Sequence, residues 1–121
     1  MKIETVLERE KKIAVVFSED VVLQDVQSSL ELILSVKYET GAERIVLNKE
    51  SIAEPFFILS TGLAGEVLQK FVNYHVKVAV YGDYSRYTSK PLRDFIYESN
   101  HGKDVFFLGT REEAIRKLGE V

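Results

Sequence analysis

The stretch Arg44–Gly82 reads RIVLNKESIAEPFFILSTGLAGEVLQKFVNYHVKVAVYG, and its pattern of apolar residues decides the fold. RIVLN (Arg44–Asn48) is a nearly continuous apolar run, as expected of a strand covered on both faces. Ala64, Val67, Leu68 and Phe71 then recur at the spacing of one helical face, and VKVAVY (Val76–Tyr81) returns to β-branched residues before Gly82. A buried strand, an amphipathic helix and a second buried strand make a crossover unit, which requires the two strands to run parallel.

The same alternation extends in both directions. Upstream, Ile3–Leu7 and Ile13–Phe17 (IAVVF) are β-rich runs joined by the charged stretch Glu8-Arg9-Glu10-Lys11, which reads as a tight antiparallel connection. Between them and Arg44 the spacing predicts a helix over Gln24–Tyr38, with Val26, Leu30, Ile33 and Leu34 facing inward, Asp25 in the first turn and Gly41 as its stop. Downstream, Ser89 or Lys90 caps a helix with Pro91 in its first turn, where a missing N–H costs nothing; Leu92, Phe95 and Ile96 face inward, and the helix ends near Asn100 and Gly102. Asp104–Leu108 (DVFFL) is a last strand, and Thr110-Arg111-Glu112-Glu113 has the capping-box form ahead of Ile115 and Leu118. The order ββαβαβαβα predicts one α/β domain over residues 1–121: a mixed, mostly parallel five-stranded sheet with an N-terminal hairpin and four helices. Val46, Leu68, Val78, Phe95 and Phe106 are its expected core.

Composition narrows the function classes. The chain has 121 residues, 45% of them hydrophobic and 29% charged, a globular profile far from that of disordered segments. Its net charge of −3 supplies no general attraction for phosphate backbones, so nucleic acid is not an expected partner. There is no cysteine, which excludes disulfides, thiolate metal sites and cysteine nucleophiles. The first residues are too charged for a secretory signal, and no apolar run approaches the roughly 18 residues of a membrane span, so a cytoplasmic protein without a membrane partner is expected.

Within Ile45–Gly82, IVLN leads through a loop to LSTGLAGEVLQKF and then VKVAVYG, and this segment resembles the STAS domain of anti-sigma-factor antagonists and sulfate transporters. The resemblance implies a STAS-like fold and, in the Ser60-Thr61-Gly62-Leu63 turn, a hydroxyl phosphorylated by a partner kinase; the matching residue is Thr61. Ile58 and Leu59 stand where the antagonists carry an aspartate before the two hydroxyl residues. The wording KYETGAERIVLNKE and YGDYSRYTSKPLRDFIYESN also resembles a bacterial family of short proteins known only as a domain of unknown function, which implies no activity.

In a parallel α/β sheet the loops after the strands meet ligands and partners at the carboxyl edge. Two segments converge there. Asn48–Gly62 brings Asn48, Lys49, Glu50, Ser60, Thr61 and Gly62, with Thr61 expected in the first turn of the second helix; Gly82–Lys90 (GDYSRYTSK) brings Asp83, Tyr84, Arg86, Ser89 and Lys90 beside another helix start. Ser60 and Thr61 read either as a helix cap or as a phosphate-linked site. Tyr81, Tyr84 and Tyr87 with Arg86 and Lys90 read either as an interface loop or as an ordinary amphipathic one. His75 and His101 lack the spacing of a metal pair, and no GxSxG, P-loop or GxGxxG is present, so neither a catalytic set, a metal nor a cofactor is expected. The expected function is a non-enzymatic regulatory module that binds a partner protein through this edge. A small-molecule or nucleotide binder, or an enzyme, using Lys49, Asp83, Arg86 and Lys90 is the alternative, and a self-associating structural protein, a homo-oligomer, is a third reading.

Overall fold

The computed structural model describes all 121 residues. β1 (Lys2–Glu8) and β2 (Lys11–Phe17) form an antiparallel hairpin closed by the Glu8–Lys11 pair. Arg9 and Glu10 both take positive φ, 51° and 69°, so a two-residue turn with the twist that suits a hairpin joins the strands without a glycine. α1 (Val26–Thr40), β3 (Arg44–Asn48), α2 (Leu63–Asn73), β4 (Lys77–Tyr81), α3 (Lys90–Asn100), β5 (Val105–Leu108) and α4 (Arg111–Glu120) follow in the expected order. β2, β3, β4 and β5 are parallel, as the alternation of buried strands and amphipathic helices requires.

The strands lie side by side in chain order, β1-β2-β3-β4-β5. Each crossover therefore steps in the same direction, and crossovers of one hand then place their helices on one face. Leu32, Ile33 and Val36 of α1, Ala64, Val67 and Phe71 of α2 and Leu92 of α3 share a core with Ala14, Val16, Ile45, Leu47, Val78, Val80 and Phe107 of the sheet. α4 alone covers the other face, where Ala114 and Leu118 pack on Ile13, Val15, Val46, Ala79 and Phe106. It runs back across the sheet. Arg111 at its start pairs with Glu4 (3.3 Å), and at its end Lys11 Nζ donates to Gly119 O (2.9 Å) and Arg44 Nε to Leu118 O (3.0 Å), cations on the carbonyl end of a helix.

Two expectations about core packing need correction. The inward face of α1 is Ser29, Leu32, Ile33 and Val36, while Leu34 is 52% exposed. The segment VQSSLELILSV supports both faces, and small Ser29, whose hydroxyl is bonded to Val26 O (2.6 Å), lets the helix approach more closely than a leucine would. Phe95 is half-buried rather than enclosed, packing edge-on against Phe107 at the end of the sheet; Val46, Leu68, Val78 and Phe106 are buried as expected. Asp25 and Ser28 form a capping box at α1, and Thr110 caps α4 by accepting from Glu113 N (3.2 Å), though Glu113 reaches the Thr110 hydroxyl instead of its backbone. No helix is long and apolar enough to cross a membrane.

Candidate functional site

Because the strand order never reverses, the sheet has no crevice between diverging crossovers, the usual ligand position in open α/β sheets. What the carboxyl edge has instead is a layer of tied loops. Asn48, at the end of β3 and 1% exposed, accepts from Ser18 N (3.0 Å) and donates to Ser18 O (2.7 Å), so its carboxamide pairs with the backbone leaving β2 as another peptide would. Ser51 donates to Asn48 O (2.7 Å), and its own carbonyl accepts from Val22 N and Leu23 N. Asn48 therefore holds the edge together from inside and is not presented on it.

The connection from β3 to α2 is three successive 3-10 turns, Lys49–Ser51, Glu54–Phe57 and Leu59–Thr61. The middle one buries Phe56 and Phe57, and around Phe57 the second loop is built. Tyr87 stacks on Phe57 with ring centroids 5.2 Å apart, and Lys49 places its ammonium 5.3 Å from the Phe57 ring and 4.9 Å from the Tyr87 ring. Glu54 accepts from Arg86 (2.6 Å) and from the Tyr87 hydroxyl (2.8 Å), joining the two loops by charge-assisted bonds. Gly82 makes this approach possible: a side-chain carbon there would lie 2.6 Å from Lys49 Cβ.

Between the two loops runs a groove of about 330 Å³. Phe57, Ile58, Leu59 and Ser60 form one wall and Arg86, Tyr87, Thr88 and Ser89 the other, with Pro91 and Leu92 below. Ile58 is 51% exposed on its rim, and the Ser60 hydroxyl is exposed and bonded to nothing in the chain.

Of the residues singled out from the sequence, the fold brings Ser60, Arg86, Tyr87 and Ser89 to this groove. Ser89 also caps α3 (3.4 Å to Leu92 N), and Lys49 lies behind the groove wall. Thr61 is exposed but precedes α2 rather than entering it. Its hydroxyl shares its one proton between Pro55 O (2.8 Å) and Ile58 O (2.9 Å) and accepts from Leu63 N (3.2 Å), so it locks the turn that carries Ser60. Gly62 takes φ +77°, the left-handed conformation that redirects the chain into α2, and no side chain occupies the N-cap position.

Asp83 accepts from Ser85 N (2.9 Å), which holds its carboxyl below the usual carboxylate range. Tyr84 is half-buried against the core: its hydroxyl donates to Val80 O (2.8 Å), its ring meets Phe57 and Phe107, and burial pushes its phenol well above the ordinary value. Lys90 turns away to pair with Asp94 (2.6 Å). Tyr81 lies on the opposite face of the sheet, lining a depression with Phe17 and Arg111, so the three tyrosines do not form one surface. Sequence reasoning missed Glu54, Phe57 and Ile58; the Pro55-Phe56-Phe57 run inside a polar loop was their only signal. No group of three or more His, Cys, Asp or Glu side chains is placed to hold a metal ion.

A family model described as a domain of unknown function, DUF4180, matches residues 8–118. The chain belongs to that family. The match takes in every element but most of β1 and the last two residues of α4, and so includes both walls of the groove. No curated protein and no solved structure matches the chain.

Proposed function

We propose that this DUF4180 chain is a non-enzymatic regulatory module of STAS-like type that binds a partner protein in the groove between Ile58–Ser60 and Arg86–Ser89. The observation that carries the reading is the composition of that groove: an exposed isoleucine and an unpartnered serine hydroxyl face an arginine and a tyrosine already fixed by Glu54. Tyrosine and arginine are the residues interfaces rely on, and side chains that are held in place lose little entropy when a partner docks. The LSTGL turn, which resembles the phosphorylated turn of the antagonists, supplies the regulatory part. Ser60 is the better acceptor of the two hydroxyls, because its oxygen is free and already on the groove. A phosphate on Thr61 would remove the proton shared between Pro55 O and Ile58 O and dismantle the turn that forms one wall.

The test is affinity capture from the native cell extract with three baits: the unaltered chain, Ile58→Asp in the groove, and Leu34→Asp on the outer face of α1. The reading expects a protein held by the unaltered and Leu34→Asp chains and lost with Ile58→Asp. It fails if Ile58→Asp captures the same proteins as the unaltered chain, or if a small metabolite raises the melting temperature through the groove while no protein depends on Ile58.

A further inference from the structure

The two edges of the sheet are treated differently. At β5 the outward peptide of Phe107 is already paired: Phe107 N donates to Asn100 Oδ1 (2.7 Å) and Asn100 Nδ2 donates to Phe107 O (3.1 Å), so a carboxamide from the end of α3 occupies the place of a next strand. β1, at the other end of the order, has no such cover. The two-residue turn at Arg9-Glu10 makes Glu8–Lys11 a hydrogen-bonded pair, and the pattern alternates from there, so Glu8, Val6, Glu4 and Lys2 bond to β2 while Leu7, Thr5 and Ile3 direct their N–H and C=O groups outward. No hydrogen bond from elsewhere in the chain reaches those three residues. Beside them Leu7 is 72% exposed.

The geometry points to a second copy of this chain as the occupant of the β1 edge, paired antiparallel about a two-fold axis through Thr5. Only residues with outward peptide groups can bond across the edge, which restricts the centre to a few registers. With Thr5 opposite Thr5 of the second copy, Lys2 faces Glu8 at both ends and exposed Leu7 meets half-buried Ile3. Shifting so that Thr5 faces Ile3 sets Glu4 against Glu4, and shifting the other way, to Leu7, sets Glu4 against Glu8. Both shifted registers oppose like charges directly across the ladder, which destabilises a pair, whereas the centred one matches opposite charges. The lysine and glutamates that keep other strands off an exposed edge here select one self-pairing. The two sheets join into one of ten strands. The contact is smaller than the roughly 1,600 Å² of a standard interface, so association is weak and depends on concentration.

Sedimentation equilibrium of the full chain from about 10 μM to about 1 mM reads it, a range that brackets weak association. The mass should rise from that of one 13.8 kDa chain toward that of two. Over the same range the amides of Ile3, Thr5 and Leu7 should gain protection from hydrogen exchange, while those of Glu4 and Val6, already bonded to β2, should not change. Thr5→Pro, which removes an outward N–H, should stay a single chain. Lys2→Glu should weaken association at least about tenfold, and Lys2→Glu with Glu8→Lys should restore it. Should Thr5→Pro not fold, the charge pair still decides. A single-chain mass throughout, or association that survives Lys2→Glu undiminished, overturns the pairing, and so does a double variant no better than Lys2→Glu alone. Ile58→Asp should leave all of these measurements unaltered, which separates this edge from the groove.

Discussion

Replacing Asn48 with alanine should cost the chain a large part of its stability. The carboxamide satisfies both the N–H and the C=O of Ser18, at 3.0 and 2.7 Å, and Asn48 and Ser18 are 1% and 5% exposed, so truncation leaves two peptide groups without partners or direct access to water. An unsatisfied buried polar group costs about 1–3 kcal/mol, so the pair amounts to roughly 2–6 kcal/mol, against a total of about 5–15 kcal/mol for a domain. Asn48→Asp sharpens the test. It keeps the acceptor for Ser18 N–H but sets a carboxylate oxygen against Ser18 O, so at neutral pH it should cost at least as much as alanine, and in acid, where the carboxyl can donate, it should recover. Urea unfolding near neutral pH, with the slope unchanged from the parent, measures the loss. A cost below about 1 kcal/mol for Asn48→Ala, or an aspartate better tolerated than alanine at neutral pH, would refute the view that this residue ties β2 to β3.

Three further outcomes are expected. Thr61→Ala should lower stability by about 1 kcal/mol because its hydroxyl bonds to Pro55 O and Ile58 O, while Ser60→Ala should stay within about 0.5 kcal/mol; equal costs in chemical denaturation would contradict the division of labour between the two hydroxyls. Gly82→Ala should destabilise by about 1–3 kcal/mol, because the new carbon meets Lys49 Cβ at 2.6 Å, and a changed near-ultraviolet signal from Tyr87 should accompany the loss. Asp25 accepts from Ser28 N–H at the start of α1, which lowers its folded pKa; its stabilising contribution is therefore present above the unfolded value of about 3.9 and is lost as pH falls through the lower folded value. Asp25→Asn, which caps without titrating, should show a smaller loss of stability between neutral pH and pH 3 than the parent, roughly the window that linkage sets.

Much of the fold was legible because periodicity is local. RIVLN, VKVAVY and the Ala64-Val67-Leu68-Phe71 stripe each carry their assignment within a few residues, and the parallel sheet follows from their alternation. The helical period locates α1 and its inward Ile33 but not the rest of the inward face, since Leu30, Leu32, Ile33, Leu34 and Val36 leave two faces nearly equal and only tertiary packing chooses between them. The loop before α2 hid its structure because 3-10 turns of three or four residues carry no repeat to read. The groove was half legible. Arg86, Ser60 and Ser89 were drawn to one edge by topology, but the Glu54–Arg86 pair spans 32 positions, and no local pattern announces a partner that distant. Tyrosines three apart in a loop looked like one surface, yet Tyr81 still obeys the alternation of β4 and points to the far face.

The most direct test of the groove as a docking surface is hydrogen exchange on the full chain with and without the protein it captures. Protection gained over Phe57–Ser60 and Arg86–Leu92, with the amides of α1 and of the Phe17 and Tyr81 face unchanged, is the result expected. Protection on α1 or on the Tyr81 face while Phe57–Ser60 exchanges as before would contradict the proposal.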